Sequence, residues 1–431
     1  MKRLLALVLS VIMMLSLLPI FASAEGGEKI KIVYMDWDSS IDQRETEWKL
    51  FFERFPEYAD KVEVEIVTGG SGEINVLETV RKLYASGQTE EMPDIFTCNW
   101  AQVPEYYAMD ITEDLTGLYS EIGDQILPGV VEMMQYNGRF MGFPVEMKTK
   151  MWVYRKDMFA AAGINPADIK NEAELIEAGK KIKEMYPDTF IENYTSVPQA
   201  YDLYMRLTAN GGRLSDDQGN YIVSKDPGVR AAFESLKNMM DSGVVSTTIQ
   251  DFSSDWYAAL NDGTLCSQLL AGWFAANHVT KNCPDMKGLW GCALWPEEMA
   301  AGSENGAKLQ MVYNQSPNKD LCIELLTKFC YSTEFADTLF HSERATVPYL
   351  KACAEDPAYN VAGAYYDKDR METEFASMKI LKVYPYTING TAEQKIITQY
   401  LGEYLSGTMD LDTALKAAED EMILQIGNSL Y

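Results

Sequence analysis

The sequence predicts an α/β protein of two lobes with mostly parallel sheets flanked by helices, and three observations carry that expectation. The chain has 431 residues, more than one compact core accommodates. Short β-rich runs alternate with amphipathic helical stretches, the rhythm of βαβ units. No long Pro/Ser linker and no repeat divides the chain, so short crossings rather than a tether must join the lobes.

In chain order, Lys29–Met35, Val62–Val67 and Ile95–Cys98 read as short strands. Ile74–Ser86 between them reads as a helix, because Ile74, Leu77, Val80 and Tyr84 recur at helical spacing. A second series starts near Gly142, with strands at Met151–Tyr154 and Cys266–Leu270. Glu172–Tyr186 is helical through Leu175, Ile176, Gly179 and Ile182. Another helix begins at Asp226-Pro227, turns Val229, Phe233, Leu236 and Met240 inward and stops at Gly243. The stretch "SDDQGNY" (Ser215–Tyr221) reads as a hairpin turn, since it lacks the downstream bidentate Glu of a calcium loop.

At the start, Lys2 and Arg3 precede an apolar run from Leu4 to Phe21 that closes on Ala22-Ser23-Ala24. This is the pattern of a secretory signal peptide (residues 1–24) cut near Ala24, with an uncleaved anchor as the alternative. Glu25 stands where lipid attachment would need a Cys. No later run approaches the ~20 apolar residues of a membrane helix. The expectation is an exported, soluble monomer at the cell surface or in the periplasm, without membrane insertion.

The 64 acidic residues outnumber the 37 basic ones, a net charge of −27, or about −29 once Lys2 and Arg3 leave with the signal. Such a surface argues against nucleic acid and anionic membranes, both of which need clustered Lys and Arg. Seven cysteines without a C-x-x-C pair point to mostly buried thiols, although Cys283 and Cys292 are close enough to pair. His278 and His341 stand far apart without a second ligand at metal spacing. Neither a metal nor a cofactor is expected.

The first strand has an unusual ending. In "KIKIVYMDWDSSIDQ" a core-type run closes on Asp36-Trp37-Asp38. Read alone, the trio allows a helix cap, a metal loop or an acid pair for catalysis, and Asp36 can serve to hold the turn. The plainest of these is a strand-end Trp packing on a helix that Asp38 caps.

Several stretches resemble one family, the extracellular solute-binding proteins of ABC importers, in the carbohydrate-binding branch that includes maltose-binding protein. They are "ERFPEYADKVEVEIV", "MPDIFTCNWAQVPEYYAMDITEDL", "NGRFMGFPVEMKTKMWVYRKDMFAAAGINP", "LTANGGRLSDDQGNYIVSKDPGVRAAFESLKNMMDSG", "LNDGTLCSQLLAGWFAANH", "SPNKDLCIELLTKF" and "YLSGTMDLDTALKAAEDEM". They run in the family's order over nearly the whole mature chain. Tyr154-Arg155-Lys156 departs from the usual Tyr-Asn-Lys, as do Leu309 and Gln310 from the small residues common there. The resemblance implies a periplasmic-binding-protein-like fold with a ligand cleft between the lobes and hinge closure on ligand. It also implies three crossings, near Gly138–Gly142, Met286–Gly291 and Thr333–Arg344. The N-terminal lobe would then take residues 25–140 and 288–334, and the C-terminal lobe 141–287 and 335–431.

By the same resemblance, Asp38 falls where maltose binders place a hydroxyl-binding Asp, with Trp37 beside it. Trp273 in "LAGWFAANH" matches the family's stacking Trp, and Trp100 follows the Pro-Asp-Ile strand at the cleft lip. Gln199 and Tyr201 occupy the positions of an acidic and an aromatic contact, Glu146 and Lys148 follow the first crossing, and Tyr386 is placed to face the cleft from the last segment. Tyr384 and Tyr386 also suit core packing.

The function expected is therefore a non-catalytic binding protein that hands an oligosaccharide to the permease subunits of an ABC importer. Two rivals stand beside it. A secreted glycosidase would need two carboxylates ~5–9 Å apart; neither a nucleophile elbow nor a phosphate loop is present. A sensory protein, or a binder of sugar acids or peptides, would keep the fold, and Lys148 leaves an acidic ligand open.

Overall fold

The computed structural model describes residues 28–430, apart from 148, 195–199, 301–306, 343–345, 362, 364 and 383. Residues 1–24, expected from the sequence to be a signal peptide, lie outside the described residues, as do Lys148 and Gln199. Among the described residues no helix is long and apolar enough to cross a membrane.

The first lobe is built on a five-stranded sheet. Its strands are β1 (Ile30–Asp36), β2 (Val62–Thr68), β3 (Ile95–Asn99), β4 (Phe143–Met147) and β10 (Ala307–Val312), in the order β2-β1-β3-β10-β4. The second lobe carries β5 (Lys150–Arg155), β8 (Ser267–Ala271) and β9 (Trp290–Ala293) in the order β8-β5-β9, with the short pair β6 (Glu192–Asn193) and β7 (Val245–Ser246) alongside.

Helices cover both sheets. In the first lobe these are α1 (Ile41–Arg54), α2 (Glu73–Ala85), α3 (Val103–Met109), α8 (Lys319–Tyr331) and α9 (Thr333–Phe340). The second lobe has α4 (Glu172–Met185), α5 (Ala200–Ala209), α6 (Pro227–Asp241), α7 (Ser254–Asp262), α10 (Asp369–Ile380), α11 (Gly390–Leu405) and α12 (Leu411–Gln425). Their starts follow capping chemistry: Asp226 accepts the Val229 N–H at 2.8 Å, and Asn171 accepts that of Glu174 at 2.9 Å. In α2 the buried stripe is Val76, Leu77 and Val80, while Ile74 and Tyr84 are exposed, so the apolar face is rotated from the expected one. In α6 it is Met239 rather than Met240 that turns fully inward. Ser215 and Tyr221 bridge in antiparallel fashion around the expected turn. All seven cysteines are buried free thiols, and Cys283 and Cys292 are not joined.

The expectation of mostly parallel sheets holds for one sheet and not for the other. β1 pairs in parallel with β2 and β3, but β10 is antiparallel to both β3 and β4. β5 is antiparallel to both of its neighbours. The reason is the route of the chain. β4 ends at the cleft, and a two-residue connection makes β5 start there and run away from it. β10 likewise begins straight after a crossing. Strands that follow a crossing directly are the reversed ones.

Sheet membership also moves the crossings. The first lies between Met147 and Lys150, not at Gly138–Gly142, because Phe143–Met147 still pairs in the first sheet. β9 pairs with β5, so the second lies beyond Met286–Gly291; the short helix Glu297–Ala300 still packs on α5, and the crossing falls before Ala307. The third is later than Thr333–Arg344: α9 packs its Phe335 against Phe51 and Phe329 of the first lobe, and the Tyr349 hydroxyl donates to the Pro144 carbonyl. Tyr365 accepts from Gly288 through its carbonyl and already belongs to the second lobe.

Candidate interlobe cleft

The first-lobe wall is organised by buried charge. Period-two alternation puts Tyr34 and Asp36 of β1 on one face of the sheet, with Thr97 and Asn99 of β3 and Lys308 and Gln310 of β10. Asp36 is fully buried; its carboxylate accepts the Trp37 N–H at 2.8 Å and lies 3.0 Å from Lys308 Nζ and 3.6 Å from Arg44 Nε. Lys308 also donates to Ser40 Oγ at 2.8 Å, and its ammonium stands 3.7 Å from the centroid of the Trp37 ring. Burial pulls the Lys308 ammonium down to about 8 against the attraction of Asp36. Glu146 sits opposite Lys308 in the β4–β10 ladder. Asp36 is thus the hub of the wall rather than a turn-holder.

Around the cleft end of β3, both amide atoms of Asn99 and of Gln310 and the indole nitrogen of Trp100 are buried without a hydrogen-bond partner. Buried polar groups seldom stay unpaired, so these atoms mark a place for hydroxyls or water.

The second-lobe wall is organised by rings. Trp273 follows the carboxyl end of β8 and opens a π-helical turn over Phe274–Val279. Its ring stands edge-on to His278 at 5.3 Å and lies at 30° to Phe252 at 6.0 Å. Phe252 follows the carboxyl end of β7, is 48% exposed and has φ +63°, a backbone a bulky residue adopts only when its surroundings enforce it. They do: Asn193 donates to the Ile249 carbonyl (3.0 Å) and to Asp251 (2.7 Å), and Ser253 caps α7 through the Trp256 N–H (3.1 Å). His278 shares a 2.9 Å hydrogen bond with Tyr257, and burial lowers it to about 4, so the imidazole is neutral.

Gly272 before Trp273 leaves room for the Glu374 carboxylate, since a Cβ there would lie 2.2 Å from its Oε1. Glu374 of α10 is buried, accepts the Thr149 hydroxyl and lies 3.7 Å from Arg370 Nε; burial raises its carboxyl.

The two walls meet in a recess lined by Gln43 and Glu146 from the first lobe and by Trp273, Asn277, Arg370 and Glu374 from the second. Of the sequence-derived candidates, the structure brings Glu146 and Trp273 together there. Trp37 is half-buried over Lys308 and reaches the recess only through that lysine's neighbour Glu146. Asp38 is exposed and tied to β2, accepting from the Thr68 hydroxyl and donating its N–H to Gly70. Trp100 is not at an open lip: it is 6% exposed, packed where its short turn meets α11. Tyr201 lies in α5. Tyr386 is buried and stacked on Tyr204 at 5.1 Å, the core role rather than a cleft-facing one.

Sequence reasoning missed Gln43, Asn277, Phe252, Arg370 and Glu374. For Glu374 a signal existed, because it interrupts the buried stripe Met371, Phe375 and Met378 of α10. Among the described residues no three His, Cys, Asp or Glu gather to hold a metal ion.

Comparison with known proteins bears on this cleft. A family model described as bacterial extracellular solute-binding protein matches residues 26–337. The arabinooligosaccharide-binding protein of Bacillus subtilis (strain 168) is 26% identical over 246 residues, covering 55% of each chain. The diacetylchitobiose binding protein of Streptomyces coelicolor is 25% identical over 265 residues, 61% of this chain and 59% of that one. The chain thus spans little more than half the length of these curated relatives. Among solved structures, the ABC-transporter-associated binding protein from B. animalis subsp. lactis Bl-04 in complex with β-1,6-galactobiose superposes with a TM-score of 0.73 at 21% identity, over 92% of this chain and 97% of that one. That likeness is one of fold.

Proposed function

The chain belongs to the bacterial extracellular solute-binding family, and from that premise we propose that it captures an oligosaccharide between its lobes for delivery to an ABC permease. The observation that carries the reading is the recess itself: one ring, Trp273, stands among Glu146, Gln43, Asn277, Arg370 and Glu374. A ring for the C–H face surrounded by hydroxyl-bonding groups from both lobes is the complement of a neutral sugar. Two carboxylates stand against one guanidinium there, which favours a neutral ligand over a sugar acid. The relatives named above support the class, since each is named for, or bound to, a di- or oligosaccharide. The lobes are residues 28–147 with 307–360 and residues 149–300 with 365–430. One chain supplies both walls, so the working unit is a monomer.

The experiment is a thermal-shift screen of the exported chain against arabinobiose, diacetylchitobiose and β-1,6-galactobiose, repeated on Trp273→Ala. A sugar-dependent rise in Tm that the variant loses while staying folded supports the reading. A wild-type chain that none of these or a wider glycan panel stabilises overturns the carbohydrate ligand.

One observation keeps hydrolysis as a rival: Glu146 and Glu374 face the same recess, and burial raises the Glu374 carboxyl, as a general acid requires. Sustained release of reducing sugar, abolished by Glu374→Gln, would favour the enzyme; a binding protein releases none.

A further inference from the structure

A carboxylate of the first lobe ends a helix of the second. Glu105 lies in the first turn of α3, which follows β3 through the short turn Trp100–Gln102. One of its oxygens accepts the Thr391 N–H at 2.9 Å and also the Thr391 hydroxyl. Thr391 is in the first turn of α11, a 16-residue helix packed on α5, α6 and α12. The other oxygen takes Arg81 Nη2 of α2 at 2.6 Å. Glu105 is 5% exposed, so this is a shielded contact rather than a surface pair. The three crossings lie elsewhere, and nothing covalent nearby holds Glu105 to Thr391.

One first-lobe carboxylate therefore stands at the amino end of a second-lobe helix. The first-turn N–H groups of a helix have no partner within the helix, and the positive end of its dipole favours an anion. Opening the lobes would take this acceptor from α11 and leave Arg81 to hold Glu105 alone. Bonds to a charged acceptor are about twice as strong as neutral ones, so the contact is worth most where water is excluded, in the closed form. Glu105 does not line the recess.

We propose that Glu105 is a positioning residue that latches the lobes closed, so that it sets ligand affinity without touching the ligand. This rests on the reading that ligand binds between the lobes. Apparent affinity scales with the fraction of molecules in the binding-competent form, and a weaker latch lowers that fraction for every ligand alike.

The test uses the exported chain with Glu105→Ala, Glu105→Gln and Thr391→Ala. Small-angle scattering of the free proteins reads closure without any ligand, and titration with arabinobiose, diacetylchitobiose and β-1,6-galactobiose reads affinity. The expected result is a larger radius of gyration for Glu105→Ala at unchanged Tm, and about tenfold weaker binding, largely through faster release. Glu105→Gln, which keeps an acceptor, and Thr391→Ala, which keeps the N–H, should each lose less. In the Glu105→Ala/Thr391→Ala double variant the losses should not add. Wild-type scattering and affinity in Glu105→Ala would overturn the latch, as would a loss of affinity matched by a fall in Tm. Should no sugar bind the wild-type chain, the carbohydrate reading fails, and the scattering of the free variants still decides the latch.

Discussion

The two walls of the cleft solve one problem by different physics. On the first lobe, Trp37 rests on a fully buried lysine that Asp36 neutralises, with Arg44 and Ser40 completing the network. On the second, Trp273 stands in a cluster of rings, Phe252, Phe274 and a neutral His278. The first wall is held by charges that need one another, and the second by contacts that are individually replaceable. The first should therefore fail abruptly when one member is removed, and the second should lose binding while keeping its fold.

The sharpest break is Asp36→Asn, which leaves the Lys308 ammonium buried without the carboxylate that neutralises it. Removing one partner of a buried pair costs about 3 kcal/mol or more, to be read as a fall in the denaturant midpoint. Little change would show that the first wall does not depend on Asp36.

Trp273→Ala is the matching change on the other wall. Truncating a central stacking ring should weaken sugar binding by about 2–3 kcal/mol, while the denaturant midpoint moves far less than in Asp36→Asn. A variant that unfolds instead would mean that the ring cluster is structural.

Acid should find the second wall first. His278 is held down to about 4 by burial, so between its unfolded pKa near 6.5 and that value the unfolded chain binds more protons than the native one. Its contribution is present above pH 6.5 and is lost as pH falls through about 4, a cost of order 3 kcal/mol. His278→Gln should flatten the stability curve in that window.

The smallest effect distinguishes the first wall at alkaline pH. Lys308 titrates near 8 in the native protein, below its unfolded value, so the penalty for burying its charge is relieved as pH rises from 8 towards 10.5 and the fold gains stability. The same deprotonation removes the cation beneath Trp37, and sugar affinity should drop by about 0.5–1 kcal/mol across pH 8. Lys308→Arg, charged throughout, should abolish the drop.

Much of this was legible in the sequence. The runs at Ile30–Asp36 and Ile95–Asn99 carry β-propensity, and Asp226-Pro227 is an unambiguous helix start. Trp273 and Glu146 could be found because local motifs flank them. The reversed strands β5 and β10 could not, since strand direction follows from where the chain crosses, and the glycines near Gly138 look like a crossing while the ladder runs on to Met147. Lys308 stayed hidden because the carboxylate that justifies burying it, Asp36, is distant in sequence. Trp100 was placed at a lip because only the folded chain brings α11 against it.

The central claim, a neutral oligosaccharide held between the lobes, is tested most directly by titrating the exported chain with arabinobiose, diacetylchitobiose and β-1,6-galactobiose while following tryptophan fluorescence. Saturable one-site binding at micromolar concentration or tighter, with the change lost in Trp273→Ala, is the result predicted. No saturable change with any of these or a wider glycan panel would contradict it.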